Sequence, residues 1–171
     1  GGEVSTYPRC YGSADLFDFR GDRERDIDLF ISGNMLHPYQ PDKGRILHQL
    51  LELPESEIKI RIEPFIPLNE YRALMERAKV VVAYVRNGGA LSTRALEALQ
   101  MGCAVIVQDT GVLPLYLGET AGVFTYSMER GDLPEVVCRV VREWPQYRSR
   151  ITEGRDAVRR EFSMQRVGDQ Y

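Results

Sequence analysis

Two short apolar runs constrain the fold of this 171-residue chain more than any other feature. "VVVAYV" begins at Val80 and "CAVIV" begins at Cys103, and both would present apolar side chains on the two faces of an extended strand. Strands of that kind lie at the centre of parallel sheets, where helices cover both faces. Each run follows a stretch with apolar residues at helical spacing, at residues 68–78 and 92–101. The pattern predicts an α/β fold.

Further strands and helices extend this alternation in both directions. Three more stretches have the length and apolar content of short strands, at residues 27–33, 57–65 and 121–126. The second of these alternates isoleucine with charged residues, which indicates a position near a sheet edge. Helical spacing marks residues 43–53 and two closing amphipathic helices, "LPEVVCRVVREW" and "PQYRSRITEGRDAVRREF". Such regular alternation predicts a doubly wound, Rossmann-like parallel sheet.

The predicted domain covers residues 27–171 as a single unit. Residues 1–26 are aperiodic and end in the charge run "RGDRERD", so we interpret them as a lead-in or hinge. Asn69 is expected to cap the helix before Val80. Gly102 is expected to end the helix before Cys103.

Composition excludes several classes of function. The net charge of −3 argues against a nucleic-acid surface, and Cys10, Cys103 and Cys138 are too widely spaced to form a Cys-x-x-Cys pair. His37 and His48 have no zinc-ligand spacing to these cysteines, so no metal site is predicted. No apolar run approaches the roughly 18 residues that span a bilayer. The first residues do not resemble a secretory leader, so we expect no transmembrane segment and a cytoplasmic location.

A phosphate-binding element is predicted between the two central strands. In a doubly wound sheet, ligands bind outside the carboxyl ends of the strands. Gly88 and Gly89 would let the backbone approach a ligand closely, and Ser92 and Thr93 open a helix whose unpaired N–H groups favour negative charge. This combination predicts an anion seat.

Arg94 and Glu97 lie in the first turns of that helix and have two interpretations. In the first, Glu97 accepts hydrogen bonds from a vicinal diol such as ribose, while Arg94 or the helix N-terminus meets a phosphate. In the second, the two residues form an exposed i, i+3 ion pair that contributes little. Their spacing alone does not decide between these interpretations.

The same residues resemble a known family signature. "EALQMGCAVI", from Glu97 to Ile106, is similar to the Glu-Ala-Met-Ala-x-Gly-x-Pro-Val-Ile pattern of GT-B glycosyltransferases of the group 1 type. Ser92, Arg94 and Glu97 form the Ser-x-Arg-x-x-Glu motif that resembles the CgeB-like branch. Similarity runs from about Tyr71 to the closing helices.

The resemblance implies a binding site for a nucleoside-diphosphate-sugar donor, which is a substrate rather than a cofactor. Glu97 would hold the ribose hydroxyls. Lys43, in "PDKG", matches the lysine of the family's Lys-Gly step and would meet the diphosphate. Phe65 and Ile66, in "EPFIP", match the segment beside the nucleobase. Core packing is an equally good interpretation of Phe65.

Three positions depart from the family pattern. Gly89 stands where many retaining members have a second glutamate, and Leu115 stands where another glutamate is common. Asn34 takes the place of the family's arginine after the first strand, so Arg94 or Arg86 would carry part of the phosphate contact. These departures leave the donor and the stereochemical outcome open.

A GT-B active site lies between two such domains, and the resemblance therefore implies that this chain is the carboxy-terminal half of a longer, metal-independent transferase. The missing amino-terminal domain would supply the pocket for an unknown acceptor. By itself the fragment is expected to bind nucleotide weakly and to turn nothing over.

Two other functions remain open from the sequence. One is a non-enzymatic α/β binding or regulatory module of receiver or flavodoxin type, although the aspartates and the Ser/Thr-rich loop typical of those modules are missing. The other is one half of a sugar-nucleotide epimerase, which shares the fold and the ligand.

Overall fold

Parallel strands alternate with helices throughout the structure, a computed structural model. It describes residues 17, 24–33, 41–54, 57–84, 92–110 and 113–161. The elements in chain order are β1 Ile27–Ser32, α1 Pro41–Leu50, β2 Ile60–Glu63, α2 Leu68–Arg77, β3 Ala78–Val82, α3 Thr93–Gln100, β4 Ala104–Gln108, α4 Leu113–Tyr116, β5 Val123–Tyr126, α5 Leu133–Arg142 and α6 Trp144–Glu161. All strand pairs are parallel, in the order β2-β1-β3-β4-β5. The predicted doubly wound α/β fold is confirmed.

The central strands are apolar on both sides because helices cover both faces of the sheet. Every residue of β1 is buried, and successive residues at the centre of β1, β3 and β4 belong to opposite cores. One core includes Phe30 of β1 and receives α2 and α3, whereas the other includes Leu29 and receives α1 and α5. Helix α6 reaches both cores, through Val158 and Ile151 respectively.

The chain enters β3 two residues earlier than "VVVAYV" suggests. Ala78, which the helical spacing assigns to the preceding helix, pairs with Ile27 of β1 as the first residue of β3. Its N–H still bonds the Met75 carbonyl, so the residue ends α2 and begins β3 at once. The register with β1 therefore decides where the helix stops.

The predicted cap of α2 at Asn69 is wrong, whereas the predicted stop of α3 at Gly102 is confirmed. Helix α2 begins at Leu68 with Pro67 as its N-cap, and the Pro67 carbonyl accepts the first helical bond from Tyr71 N at 2.9 Å. Asn69 is therefore inside the first turn and cannot cap it. Gly102 does follow α3, with a φ of +72°, and its N–H bonds the Leu99 carbonyl at 2.9 Å.

A buried arginine, Arg25, bonds two helix ends at the amino edge of the sheet. Arg25 donates to the Met101 carbonyl at 2.6 Å and to the Ala78 carbonyl, at the ends of α3 and α2. Carbonyls at helix ends lack partners within the helix, so a side-chain donor stabilises both ends. Arg25 belongs to the segment 1–26 that the sequence suggests is a lead-in or hinge, and that boundary stays a prediction.

We predict that Gly154→Ala destabilises the fold by about 2 kcal/mol or more, because a methyl group there overpacks a closed contact. Gly154 lies in α6, and a Cβ at this position would overlap the carbonyl oxygen of Ala121 in the 3-10 turn Glu119–Ala121. The free energy of unfolding, from urea titration followed by circular dichroism, measures the effect.

Gly44→Ala is the matched control, since Gly44 is also helical but has nothing within 4 Å of an added Cβ. It should stabilise the protein by about 0.5–1 kcal/mol through the helix preference of alanine. Equal unfolding free energies for the two variants would contradict the contact between α6 and the turn.

Candidate functional site

The order of strands reverses between β1 and β3, which leaves a crevice at the carboxyl edge of the sheet. Doubly wound sheets bind ligands in such a crevice. Helix α1 follows β1 and packs on one face, through Ile46 and Leu50. Helix α3 follows β3 and packs on the opposite face, through Leu96 and Leu99. The side chains at the starts of both helices are therefore brought to the same carboxyl edge from two sides.

Ser92 begins α3 as the sequence predicts. Its Oγ accepts a hydrogen bond from Ala95 N at 3.4 Å, and its side chain is buried. Thr93 is the first helical residue and is half-buried. The cap occupies one N–H group of the first turn, and the remaining groups of that turn still present positive charge to the carboxyl edge.

Glu97 is half-buried and hydrogen-bonded to a residue on the neighbouring helix. Tyr71, in the first turn of α2, donates its O–H to Glu97 Oε2 at 3.0 Å. Burial raises the pKa of the Glu97 carboxyl, while the bond from Tyr71 and the charge of Arg94 act in the opposite direction. The carboxylate is thus partly desolvated and held by one donor.

The ring of Tyr71 is fixed by two phenylalanines. Phe17 meets it edge to face with the ring centroids 6.0 Å apart, and Phe30 of β1 meets it at 5.9 Å. Aromatic pairs at these separations are attractive. Burial raises the pKa of Tyr71, and so does the Glu97 charge, which keeps the hydroxyl a donor at neutral pH.

Arg94 reaches from α3 to the end of β1. A Cβ built on Gly33, the residue after β1, would lie 3.2 Å from both Nη1 and Nη2 of Arg94. Gly33 has a φ of +111°, a conformation that residues with side chains rarely adopt. Glycine therefore makes room for the guanidinium over the carboxyl end of β1.

These contacts decide against the exposed ion pair as the interpretation of Arg94 and Glu97. Both side chains are half-buried, and the carboxylate bonds Tyr71 on another helix. Arg94 Nε is buried and has no hydrogen-bond partner within the part of the chain that the structure describes. The diol interpretation of the two residues stays a prediction.

Lys43 reaches from α1 to the end of β3. It is 8% exposed, and its Nζ lies 5.5 Å from the ring centroid of Tyr84, two residues after β3. Cations are attracted to aromatic faces at that distance. The residues that line the small recess around Lys43 are Ile31, Ser32, Ile46, Val82 and Tyr84. Ser32 Oγ is buried there and makes no hydrogen bond among the described residues.

The two basic side chains cross the crevice in opposite directions. Arg94 follows β3 and covers the residue after β1, whereas Lys43 follows β1 and faces the aromatic ring after β3. Each lies on a different face of the sheet, so an extended anion at the carboxyl edge would have a cation on either side. This arrangement suits the charge of a diphosphate.

Phe65 and Ile66 lie between β2 and α2, at the same carboxyl edge. Phe65 is 91% exposed, and this excludes core packing as its role. Ile66 is half-buried. An exposed aromatic ring beside a ligand edge is available for stacking on a base. The base contact itself stays a prediction.

Two predicted site residues, Gly89 and Asn34, lie outside the described residues, as do Gly88 and Arg86. Within the described ranges, no three His, Cys, Asp or Glu side chains come together as a metal site requires. Among the same residues, no helix has the length and apolar content needed to cross a membrane.

Sequence reasoning missed Tyr71 as a site residue, because its place on the apolar stripe of α2 assigned it to the core. The feature that could have identified Tyr71 is its hydroxyl on an otherwise apolar stripe, since a buried tyrosine O–H usually finds a hydrogen-bond partner. The sequence pattern around Phe65 also did not decide between a buried and an exposed side chain.

Comparison with known proteins identifies related folds. A family model described as glycosyl transferase-like matches residues 15–171. No curated protein sequence matches the chain. Sucrose-phosphate synthase from Thermosynechococcus elongatus has a similar structure, with a TM-score of 0.68 and 15% identity over 94% of this chain and 49% of that one. The chain thus spans about half the length of that enzyme.

Two further structures are similar. The carboxy-terminal domain of a group 1 glycosyl transferase from Francisella tularensis gives a TM-score of 0.60 at 17% identity, over 88% of this chain and 98% of that domain. HepE from Anabaena, in complex with UDP-glucose, gives 0.61 at 14% identity, over 98% of this chain and 44% of that one. At these identities the likeness concerns the fold.

The family match extends over nearly the whole chain and all of the described elements. It does not test the CgeB-like branch, which stays a prediction. The chain belongs to the glycosyl transferase-like family and has the Rossmann-like fold of a GT-B glycosyltransferase domain.

Proposed function

We propose that this chain is the donor-binding carboxy-terminal half of a glycosyltransferase, which transfers a sugar from a nucleoside-diphosphate sugar to an acceptor. The observation that carries the proposal is the crossing of Arg94 and Lys43 at the β1–β3 crevice, next to the half-buried carboxylate of Glu97. The family match favours a transferase over a non-enzymatic binding module. HepE, which has a similar fold, binds UDP-glucose.

Each site residue has a distinct role in this proposal. Glu97 accepts hydrogen bonds from the ribose hydroxyls, a geometry for which a carboxylate with two acceptor oxygens is suited. The diphosphate is bound by Arg94, by Lys43 and by the start of α3 at Ser92 and Thr93. Gly89 and Asn34 are assigned beside the phosphates and Phe65 and Ile66 beside the base from the sequence and its resemblance to the family.

The transfer requires stabilisation of the departing nucleoside diphosphate. As the bond to the sugar breaks, negative charge grows on the diphosphate, and fixed cations and helix N–H groups stabilise that charge without rearranging. The approach of Arg94 and Lys43 to the crevice from either face of the sheet supports this role for them and for the start of α3. We assign the acceptor pocket to an amino-terminal domain in the full-length enzyme, and we retain a cytoplasmic location as a prediction.

The first test is nucleotide binding. We expect the chain to bind at least one of UDP, GDP and dTDP, with a dissociation constant in the micromolar to millimolar range, because half of a two-domain site makes only part of the contacts. Isothermal titration calorimetry or ligand-observed NMR measures this. No detectable binding of any of the three nucleotides at millimolar concentration would overturn the proposed donor site.

Glu97→Gln separates binding from stability. The variant keeps the shape of the side chain but loses a charged acceptor, so affinity for a ribonucleotide should fall by about 1 to 3 kcal/mol. Burial raises the pKa of Glu97, so the carboxyl favours the folded state most when protonated, and that contribution is lost as pH rises through the folded-state pKa. At pH 7 the variant should therefore unfold no more easily than the wild type. A large loss of stability with unchanged affinity would instead assign Glu97 a structural role.

Gly33→Ala should weaken nucleotide binding through Arg94. The added methyl would lie 3.2 Å from both terminal nitrogens of the guanidinium and would push it by a few tenths of an ångström. We expect a loss of about 1 kcal/mol or more in affinity, in addition to backbone strain at positive φ. Titration calorimetry with UDP and GDP measures the first effect.

Gly131→Ala controls for backbone strain, because Gly131 also has a positive φ, of +65°, but nothing lies within 4 Å of an added Cβ. It should lower stability and leave affinity unchanged. Equal affinities of the Gly33 and Gly131 variants would show that Arg94 does not need its observed position.

A further inference from the structure

The bond between Tyr71 and Glu97 joins two helices at the carboxyl edge. Tyr71 Oη and Glu97 Oε2 are 3.0 Å apart across 26 positions of sequence, and they meet because α2 and α3 pack into the same core on one face of the sheet. Because Phe17 and Phe30 hold the tyrosine ring, the hydroxyl has little freedom to turn elsewhere. The donor is therefore fixed before the carboxylate meets it.

Arg94 and Glu97 form no ion pair among the described residues, although the charge of Arg94 still acts to lower the pKa of Glu97 and of Tyr71. Arg94 and Glu97 are three positions apart on α3, a spacing at which an arginine and a glutamate commonly pair. Here the carboxylate turns to Tyr71, while the guanidinium lies against Gly33. A pair that neutralised itself would have less attraction for a ligand than two side chains with different contacts.

We propose that Tyr71 is a positioning residue that fixes one oxygen of the Glu97 carboxylate and thereby makes the site select nucleotides that carry a ribose diol. The inference rests on the proposed function and adds to it a residue on α2. A glutamate side chain loses rotamer entropy when it is fixed. If Tyr71 fixes it in the unliganded chain, less of that cost falls on ligand binding. The second oxygen, Oε1, is then presented to the sugar hydroxyls.

A merely structural tyrosine would behave differently. If the bond only fastened α2 to α3, its loss would reduce stability and would weaken all nucleotides to the same extent. Positioning of Glu97 predicts a selective effect, since only ligands with both ribose hydroxyls use the aligned carboxylate. The ratio of affinities for a ribonucleotide and its 2′-deoxy counterpart therefore separates the two roles.

The experiment compares Tyr71→Phe with the wild-type chain by titration calorimetry, using UDP against 2′-deoxy-UDP and GDP against 2′-deoxy-GDP. Tyr71→Phe removes the hydroxyl and keeps the ring contacts with Phe17 and Phe30. Tyr147→Phe is the matched control, because Tyr147 also donates to a glutamate, Glu143, but belongs to α6. Thermal unfolding of both variants reports the general cost of losing a tyrosine–glutamate bond.

We expect the wild type to prefer the ribonucleotide, and Tyr71→Phe to lose about 3- to 10-fold in affinity for it while the 2′-deoxy form changes little. Tyr147→Phe should change neither affinity. Glu97→Gln, which leaves the aromatic contacts in place, should reduce the same preference, and adding Tyr71→Phe to it should have little further effect.

The contrary outcomes are distinguishable. If Tyr71→Phe lost affinity equally for the ribose and deoxyribose forms, or kept the wild-type preference for ribose, the positioning role would be wrong. The proposed donor site would not be affected by that result. A wild type that binds ribose and deoxyribose forms equally would overturn it as well. If the wild type bound none of these four nucleotides and no dTDP, both the proposed function and this inference would be wrong, whereas binding of dTDP alone would overturn only this inference.

Discussion

The pairing of β1 with β3 is the constraint on which the site depends. Their register, Leu29 with Val80 and Phe30 with Val81, places the ends of two strands side by side although α1, β2 and α2 separate them in sequence. The helices that follow these strands leave to opposite faces, so their first turns bring Lys43 and Arg94 to one crevice from two directions. A shift of this register would move both cations relative to each other.

Three charged side chains at this edge contact neutral groups. The Lys43 ammonium faces an aromatic ring, the Arg94 guanidinium lies over a glycine, and the Glu97 carboxylate accepts from a phenol. At the amino edge, Arg77 binds Asp26 and Lys79 binds Asp28, each at 2.6 Å.

The sequence alone was sufficient for features that depend on local chemistry. Runs that are apolar on both faces predicted the central strands, and Ser92 and Gly102 marked the ends of α3. Once the start of α3 was known, Arg94 and Glu97 had to lie in its first turns. What it could not supply were contacts between elements distant along the chain. The hydrogen bond from Tyr71 to Glu97 depends on how α2 and α3 are arranged on one face of the sheet. The position of the Arg94 guanidinium depends on the backbone of Gly33. Asn69 failed as a cap because Pro67, one residue before Leu68, already accepts the first helical bond.

The position of Phe17 links the beginning of the chain to this edge. Phe17 is buried against Tyr71, near the starts of the helices, whereas Arg25 is fixed at the other end of the same strands. Phe17 and Arg25 therefore lie at opposite ends of the sheet. Phe17 contacts the ring whose hydroxyl donates to Glu97, so a substitution at this early position would reach the carboxylate through a single tyrosine.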